Sequence, residues 1–359
     1  MRVTCPPARE RRNVTPRRSV SSVQWHRLSR LVAASATRTN GKAAVTTDNH
    51  TSAPDPAELA REFEEHRAYL RRVAYSTLGS LSDADDVVQE AWLRLQRFYE
   101  TRPDGAEIDN LRAWLTTVTG RLALDHLGSA RARREQYVGE WLPEPEVSAW
   151  EDNPADKISQ DDRVTTALLV VLESLSPAER TAFVLQEVFG MTGPEVADVV
   201  GRTPAAVRQL ASRARKHVQE GTPRFPASRD EHAKVVSAFA VAWRSGDLSA
   251  LLGMLDQDVV FTADGGGKVM AFLEPLYGAE TVAGTFLTFL DKASEVGGAW
   301  GRMVQVNGQP GLVIFDGKNT GVFSFTVDEG RITNIAVVRN PDKLRDLPVD
   351  GDPDWPLGE

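Results

Sequence analysis

The stretch from Gly201 to Gln219 carries Arg202, Arg208, Arg213, Arg215 and Lys216 and no acid. On a helix opening with Thr203-Pro204, residues Val207, Leu210, Ala211 and Ala214 share one stripe. Arg208, Gln209, Ser212, Arg213, Arg215 and Lys216 are left on the other faces. Arginine pairs bidentately with guanine and glutamine with adenine, so Arg208 and Gln209, near the helix start, suit base edges. Arg213, Arg215 and Lys216 suit phosphates, and Thr203 and Ser212 complete the DNA-binding set. The alternative is an ordinary solvated basic helix.

Two further clusters could act on a polyanion or a protein. Thr117, Arg121 and Asp125 recur at i+4 steps and lead into Arg131, Arg133 and Arg134. Taken alone, Arg121 and Asp125 read as a surface ion pair. Asp85, Asp86, Gln89 and Glu90 make an acidic helix start, suited to a basic helix on a partner or simply to the helix dipole. Covalent chemistry finds less support. Six scattered histidines and the single cysteine, Cys5, give neither C-x-x-C nor H-E-x-x-H, so no metal, cofactor or catalytic group is expected. The lone cysteine also excludes an internal disulfide framework.

The formal net charge of −8 hides an uneven distribution. Residues 1–50 hold 10 Lys and Arg against 2 acids, and residues 228–359 hold 11 against 19. An acidic body repels non-specific polyanions while a basic stripe neutralises a few phosphates. No window approaches the roughly 18 apolar residues of a membrane-spanning helix. The chain is therefore expected in the cytoplasm, with no membrane partner.

Length and pattern divide the 359 residues into several units. Residues 1–55 read as a basic, disordered extension. Helical periodicity begins near Pro56, and a second helix is expected from Ser82, with Asp85 closing a capping box. A third starts at Asn110 and carries Leu111, Leu115, Val118 and Leu122 on one stripe, which sets 56–135 as one helical domain. Residues 136–160, rich in Pro, Trp and Glu, read as an extended linker. Ser176-Pro177-Ala178-Glu179 is a complete start signal, Thr192 with Glu195 is another, and Gly201 is a stop. Together they define a second helical domain over 161–222 with a helix–turn–helix. From Ser228 onward two helices precede β-rich runs at 259–262, 311–315, 322–327 and 332–338. Glycine turns separate the last three, which suggests an antiparallel meander in an α+β domain over 228–345, followed by a tail at 346–359.

These elements resemble a known family. Asp83-Ala84-Asp85-Asp86-Val87-Val88-Gln89-Glu90-Ala91-Trp92 with Leu111-Arg112-Ala113-Trp114-Leu115 looks like region 2 of a bacterial sigma-70-type factor of the extracytoplasmic-function (ECF) class. Leu175-Ser176-Pro177-Ala178-Glu179-Arg180 through Arg213-Ala214-Arg215 resembles region 4. Three more segments look like signatures of the subgroup fused to a SnoaL-like domain. They are Tyr137 to Glu140 with Trp141-Leu142-Pro143-Glu144-Pro145, then Asp264-Gly265-Gly266-Gly267-Lys268, and Asn340-Pro341-Asp342-Lys343-Leu344. Glu140 and Lys268 are small departures, where proline and arginine are common.

The resemblance implies two all-α sigma domains and a cone-shaped α+β SnoaL-like domain. Region 2 is then expected to dock on RNA polymerase core through Asp85, Asp86, Gln89 and Glu90, and to open the downstream promoter element with Arg121, Arg131, Arg133 and Arg134. Region 4 reads the upstream element. The signature segments become interdomain regulatory contacts. A small-molecule ligand in the C-terminal domain is a further expectation. The enzymatic alternative makes that domain an active cyclase with Asp264 or Asp258 as acid/base. Against it, His232 lies at a helix start, and the glycine triplet after Asp264 reads as a flexible loop.

Overall fold

The computed structural model describes residues 55–101, 106–134, 136–150, 164–222, 227–295, 300–345 and 347. The basic extension, most of the tail and the Pro223 and Pro226 boundary lie outside them. The first helical domain is three helices: α1 (Pro56–Leu78), α2 (Leu81–Thr101) and α3 (Leu111–Arg134). Leu59, Phe63, Leu70, Val88, Leu95 and Leu115 form one of its cores. Asp55 caps α1, and the Asn110 side chain accepts from Ala113 N at 3.0 Å to cap α3.

The start of α2 differs from the expected Ser82–Asp85 box. Ser80 Oγ accepts from Asp83 N (3.1 Å), and Glu144, far along the chain, accepts from Leu81 N (2.6 Å) and Ser82 N (3.1 Å). A carboxylate delivered by the linker satisfies amides that a local cap would otherwise take. Asp85 is thereby free to pair with Arg71 at 2.7 Å.

The second helical domain comprises α4 (Thr166–Glu173), α5 (Pro177–Phe183), α6 (Gly193–Val200) and α7 (Pro204–Gly221), with a π-helical turn, Val184–Val188, extending α5. The capping boxes at Ser176/Glu179 and Thr192/Glu195 both form. Gly201 ends α6 in the left-handed conformation, φ 67°, where a side chain is strained.

The C-terminal part packs α8 (Arg229–Ser245), α9 (Leu248–Met254) and α10 (Ala279–Glu295) against a seven-stranded sheet. Its strands are β1 (Val147–Ala149), β2 (Leu255–Asp264), β3 (Leu276–Tyr277), β4 (Trp300–Val306), β5 (Gln309–Phe315), β6 (Thr320–Asp328) and β7 (Arg331–Val338), in the order β1-β4-β5-β6-β7-β2-β3. The expected meander is β5–β6–β7, and β2 lies parallel to β7. Phe239, Trp243, Phe261, Phe286 and Phe323 sit in the core between helices and sheet.

β1 comes from the linker. Val147 pairs with Val306 and Ala149 with Val304, so the segment read as a connector forms an edge strand of the C-terminal sheet. Its partner β4, together with β3 and α10, has no counterpart among the sequence expectations. Leu142 of the linker shares a core with Val304, Val313, Val322 and Leu344, and Val170 of α4 packs against it. Sigma helices, linker and sheet therefore share apolar packing.

Candidate nucleic-acid interface and linker clamp

Helix α7 presents the expected surface. Thr203 caps it, accepting from Ala206 N at 3.2 Å, while Val207, Ala211 and Ala214 are buried. Arg208, Gln209, Ser212, Arg213, Arg215 and Lys216 are all exposed. Arg215 pairs with Glu187 at 2.6 Å, which raises its pKa through that hydrogen bond. In region 2, Asp86 and Gln89 are exposed on α2, and Glu90 pairs with Arg94 at 2.7 Å.

Of the basic set assigned to the downstream element, Arg121 and Arg134 are engaged by protein. Arg121 does not pair with Asp125. Its Nε and Nη2 donate to the main-chain carbonyl of Asp198 on α6, at 3.1 and 2.9 Å. That carbonyl lies in the last turn of α6, where a cation complements the helix dipole. Burial lowers the pKa of Arg121, against the attraction of Asp198 and Asp125. Behind it, Gly120 faces Val199 and Leu185, and an added methyl would lie 3.1 Å from Val199 Cγ1. Arg134 pairs with Glu173 of α4, donates to Leu78 O at 2.9 Å, and lies 3.5 Å from the centre of the Trp141 ring. Arg180, fully buried, meets the same Glu173 carboxylate, and burial pulls its pKa down to about 9. The side chains of Arg131 and Arg133 lie outside the described residues.

The three signature segments converge. Asp264, at the end of β2, is completely buried, and both its carboxylate oxygens face the linker. Oδ1 accepts from the Tyr137 hydroxyl (2.6 Å) and Gly266 N (3.0 Å). Oδ2 accepts from Leu142 N (2.9 Å) and Lys343 Nζ (2.7 Å). Asn340 Nδ2 donates to the Tyr137 oxygen at 2.7 Å, and Lys343 also donates to Leu142 O and lies 4.0 Å from the Trp141 ring centre. The Asp264 carbonyl accepts from Arg339 N and Asn340 N. Burial pulls the Lys343 ammonium down to about 8 despite the attraction of Asp264. Burial, then the Asp264 carboxylate, raises the pKa of the Tyr137 phenol, which keeps it a donor.

The glycine triplet, expected as a flexible loop, is closely packed. A Cβ on Gly265 would overlap the Val269 carbonyl, and one on Gly266 would overlap the Asn340 amide. One on Gly267 would come 3.1 Å from Val138. Gly266 and Gly267 also have φ of 60° and 68°. Lys268 reaches Asp342 at 2.5 Å. Pro143 and Pro145 flank Glu144, whose N–H donates to Gly79 O at 2.9 Å. Pro341 opens the 3₁₀ turn Pro341–Lys343, which Asn340 caps, and Leu344 is buried in the core shared with Leu142.

One node escaped sequence reading. Asn307, with φ 52°, turns the β4–β5 hairpin and is buried. Its Nδ2 donates to the Tyr75 hydroxyl of α1 at 2.6 Å. Its Oδ1 accepts from Thr166 Oγ1 of α4 (3.1 Å) and Glu146 N of the linker (3.3 Å). The Asn307-Gly308 dipeptide signals a hairpin; nothing local announces its distant partners, which also include Val164 O at 3.4 Å.

Against known proteins, the family models for Sigma-70 region 2 and Sigma-70, region 4 match residues 63–133 and 165–218. The ECF RNA polymerase sigma factor SigJ of Mycobacterium tuberculosis is 37% identical over 300 residues, covering 80% of this chain and 94% of that relative. The chain belongs to the ECF sigma-70 family. The probable ECF RNA polymerase sigma factor SigI of the same organism is 37% identical over 303 residues, covering 82% of this chain and 96% of its own length. The crystal structure of SigJ superposes with a TM-score of 0.63 at 35% identity, over 80% of this chain and 98% of that one. The coverage takes in a C-terminal SnoaL-like domain beyond the two sigma regions. As a sigma factor, the chain directs RNA polymerase core to promoter DNA. No helix among the described residues is long and apolar enough to cross a membrane.

Proposed function

We propose that the C-terminal domain of this ECF sigma factor is a regulatory module that grips the linker and holds region 4 against region 2 in the cytoplasm. The observation that carries this reading is the buried Asp264 carboxylate, whose two oxygens accept from Tyr137, Leu142 and Lys343 across the linker interface. Contacting two separate promoter elements requires regions 2 and 4 to stand apart. Here Arg121 of region 2 holds Asp198 of region 4, and Arg134 holds Glu173. The closed arrangement leaves the α7 surface open while it engages Arg121 and Arg134, two of the cations assigned to the downstream element. On this reading the clamp restrains promoter opening more than promoter finding.

On this reading 56–135 and 161–222 are the two sigma regions, 136–160 is the linker, gripped through its described residues 136–150, and 228–345 is the module. Arg208 and Gln209 take base edges, and Arg213, Arg215 and Lys216 take phosphates. Asp85, Asp86, Gln89 and Glu90 face polymerase core, and a small molecule in the C-terminal domain sets the balance. Against the enzymatic reading, Asp264 is committed to the linker, and Asp258 is exposed. Run-off transcription with purified core enzyme tests the proposal. Asp264→Ala and Tyr137→Phe, which loosen the clamp and spare the basic residues, are expected to raise output from a cognate promoter severalfold, and unchanged output from both would overturn the restraint.

A further inference from the structure

The α+β domain encloses a cavity of about 630 Å³ that the clamp does not use. Its wall is apolar, with Trp243, Phe261, Phe289, Met303, Phe323 and Val337 among the lining. Phe272 extends that wall, 6.1 Å from both Phe261 and Phe289 between ring centres. The volume falls within the roughly 300–1,000 Å³ range of small-molecule sites.

The charge around it runs against the domain. Residues 228–359 hold 11 Lys and Arg against 19 Asp and Glu. Yet Arg244, Lys268, Lys292, Arg302, Lys318 and Arg339 all line the cavity, with Asp316 the one acid. Asp316 is matched by Arg339, and Lys268 by Asp342. Arg244, Lys292 and Lys318 form no ion pair among the described residues. An acidic domain has thus gathered surplus cations at an apolar chamber. A neutral ligand has no use for them and a cationic one is repelled.

We propose that this cavity binds an amphipathic organic acid, with the apolar body against the aromatic wall and the anionic head among Arg244, Lys292 and Lys318. The inference rests on the regulatory reading only for its consequence. The loop after Asp264 carries Lys268, Val269, Met270, Ala271 and Phe272, which line the cavity, and then Leu273. Met270 and Leu273 are 66% and 63% exposed. The loop also touches the linker: a methyl on Gly139 would lie 3.3 Å from Leu273, and one on Gly267 would lie 3.1 Å from Val138. A ligand that moves this loop acts on the segment beside Tyr137.

Dodecanoate and dodecan-1-ol are suitable probes, titrated calorimetrically into the full chain below their aggregation limits. Dodecanoate is expected to bind at least tenfold more tightly than the alcohol. Arg244→Glu with Lys292→Glu should remove that preference and leave the alcohol unchanged. Lys318→Glu, on an exposed turn, provides a second variant if the double substitution lowers Tm. Equal affinities, no binding of dodecanoate, or indifference to charge reversal in both variants would overturn the site. Run-off transcription separates the two readings. Dodecanoate that binds without changing output overturns the loop coupling, whereas Asp264→Ala without effect on output, with dodecanoate still bound, overturns the regulatory reading and leaves the site standing.

Discussion

At the scale of single residues, Asp264 and Lys343 form a buried pair whose side chains are 0% and 7% exposed. Removing one member of such a pair leaves the other charge buried without compensation, typically at about 3–5 kcal/mol. Asp264→Ala is therefore expected to lower stability in urea unfolding by roughly that amount, with Lys343→Met added to it partly restoring the loss. His232 predicts a pH dependence. Its Nε2 lies 3.1 Å from Phe325 O, and burial pulls its pKa down from 6.5 to about 4. The folded state thus resists protonation that the unfolded state accepts. The stabilising difference is complete above the unfolded value and is lost as pH falls from about 6.5 toward 4, at about 1.4 kcal/mol per unit. Unfolding measured across that window should show the slope in the native protein and a flatter one in His232→Gln.

At the scale of elements, α7 tests the assignment of base and phosphate contacts. Arg208→Ala or Gln209→Ala should cost about 1–3 kcal/mol and relax specificity at one base position, measured with holoenzyme on promoter variants. Lys216→Ala should weaken every promoter alike and flatten the salt slope by about one. Identical behaviour of Arg208→Ala and Lys216→Ala on all sequences would remove the distinction. The cap on α2 makes another prediction. Glu144 accepts from two backbone amides and the Ser80 and Ser82 hydroxyls, at 3.0 and 3.2 Å. Glu144→Ala should cost about 0.5–2 kcal/mol, as loss of an N-cap does. The effect should show as reduced amide protection at Leu81 and Ser82.

The element scale also separates what the chain makes legible from what it does not. Ser176, Glu179, Thr192, Glu195 and Gly201 announce their helix ends because each acts within four residues of itself. The three signature segments are legible as interdomain contacts only through resemblance, and their chemistry depends on Asp264, Tyr137 and Lys343 meeting in the fold. Long-range roles left no local mark. Arg121 next to Asp125 at i+4 reads as an ion pair, yet its partner lies 77 residues away. Ser82 with Asp85 reads as a capping box, but Glu144 takes that position. β1 is short and sits among prolines, so its pairing with β4 depends on a sheet that the linker alone cannot foretell.

At the scale of the whole molecule, two polar nodes fasten three units. Asp264 ties the sheet to the linker, and Asn307 ties the hairpin to α1, α4 and the linker. Because the nodes share the linker, the loss of one is expected to loosen the other. A double-mutant cycle of Asp264→Ala and Asn307→Ala, read by unfolding, should show coupling of about 0.5–3 kcal/mol.

The borrowed border strand has a consequence of its own. While β1 lies beside β4, the amides and carbonyls along that margin are satisfied from within the same chain. Release of the linker strips the margin bare, and an uncovered strand recruits whatever extended backbone is near, including that of a sister molecule. A factor with its linker released is therefore expected to self-associate more readily, which light scattering of Asp264→Ala would detect. The same three residues that extend the sheet thus also shield its margin from other chains.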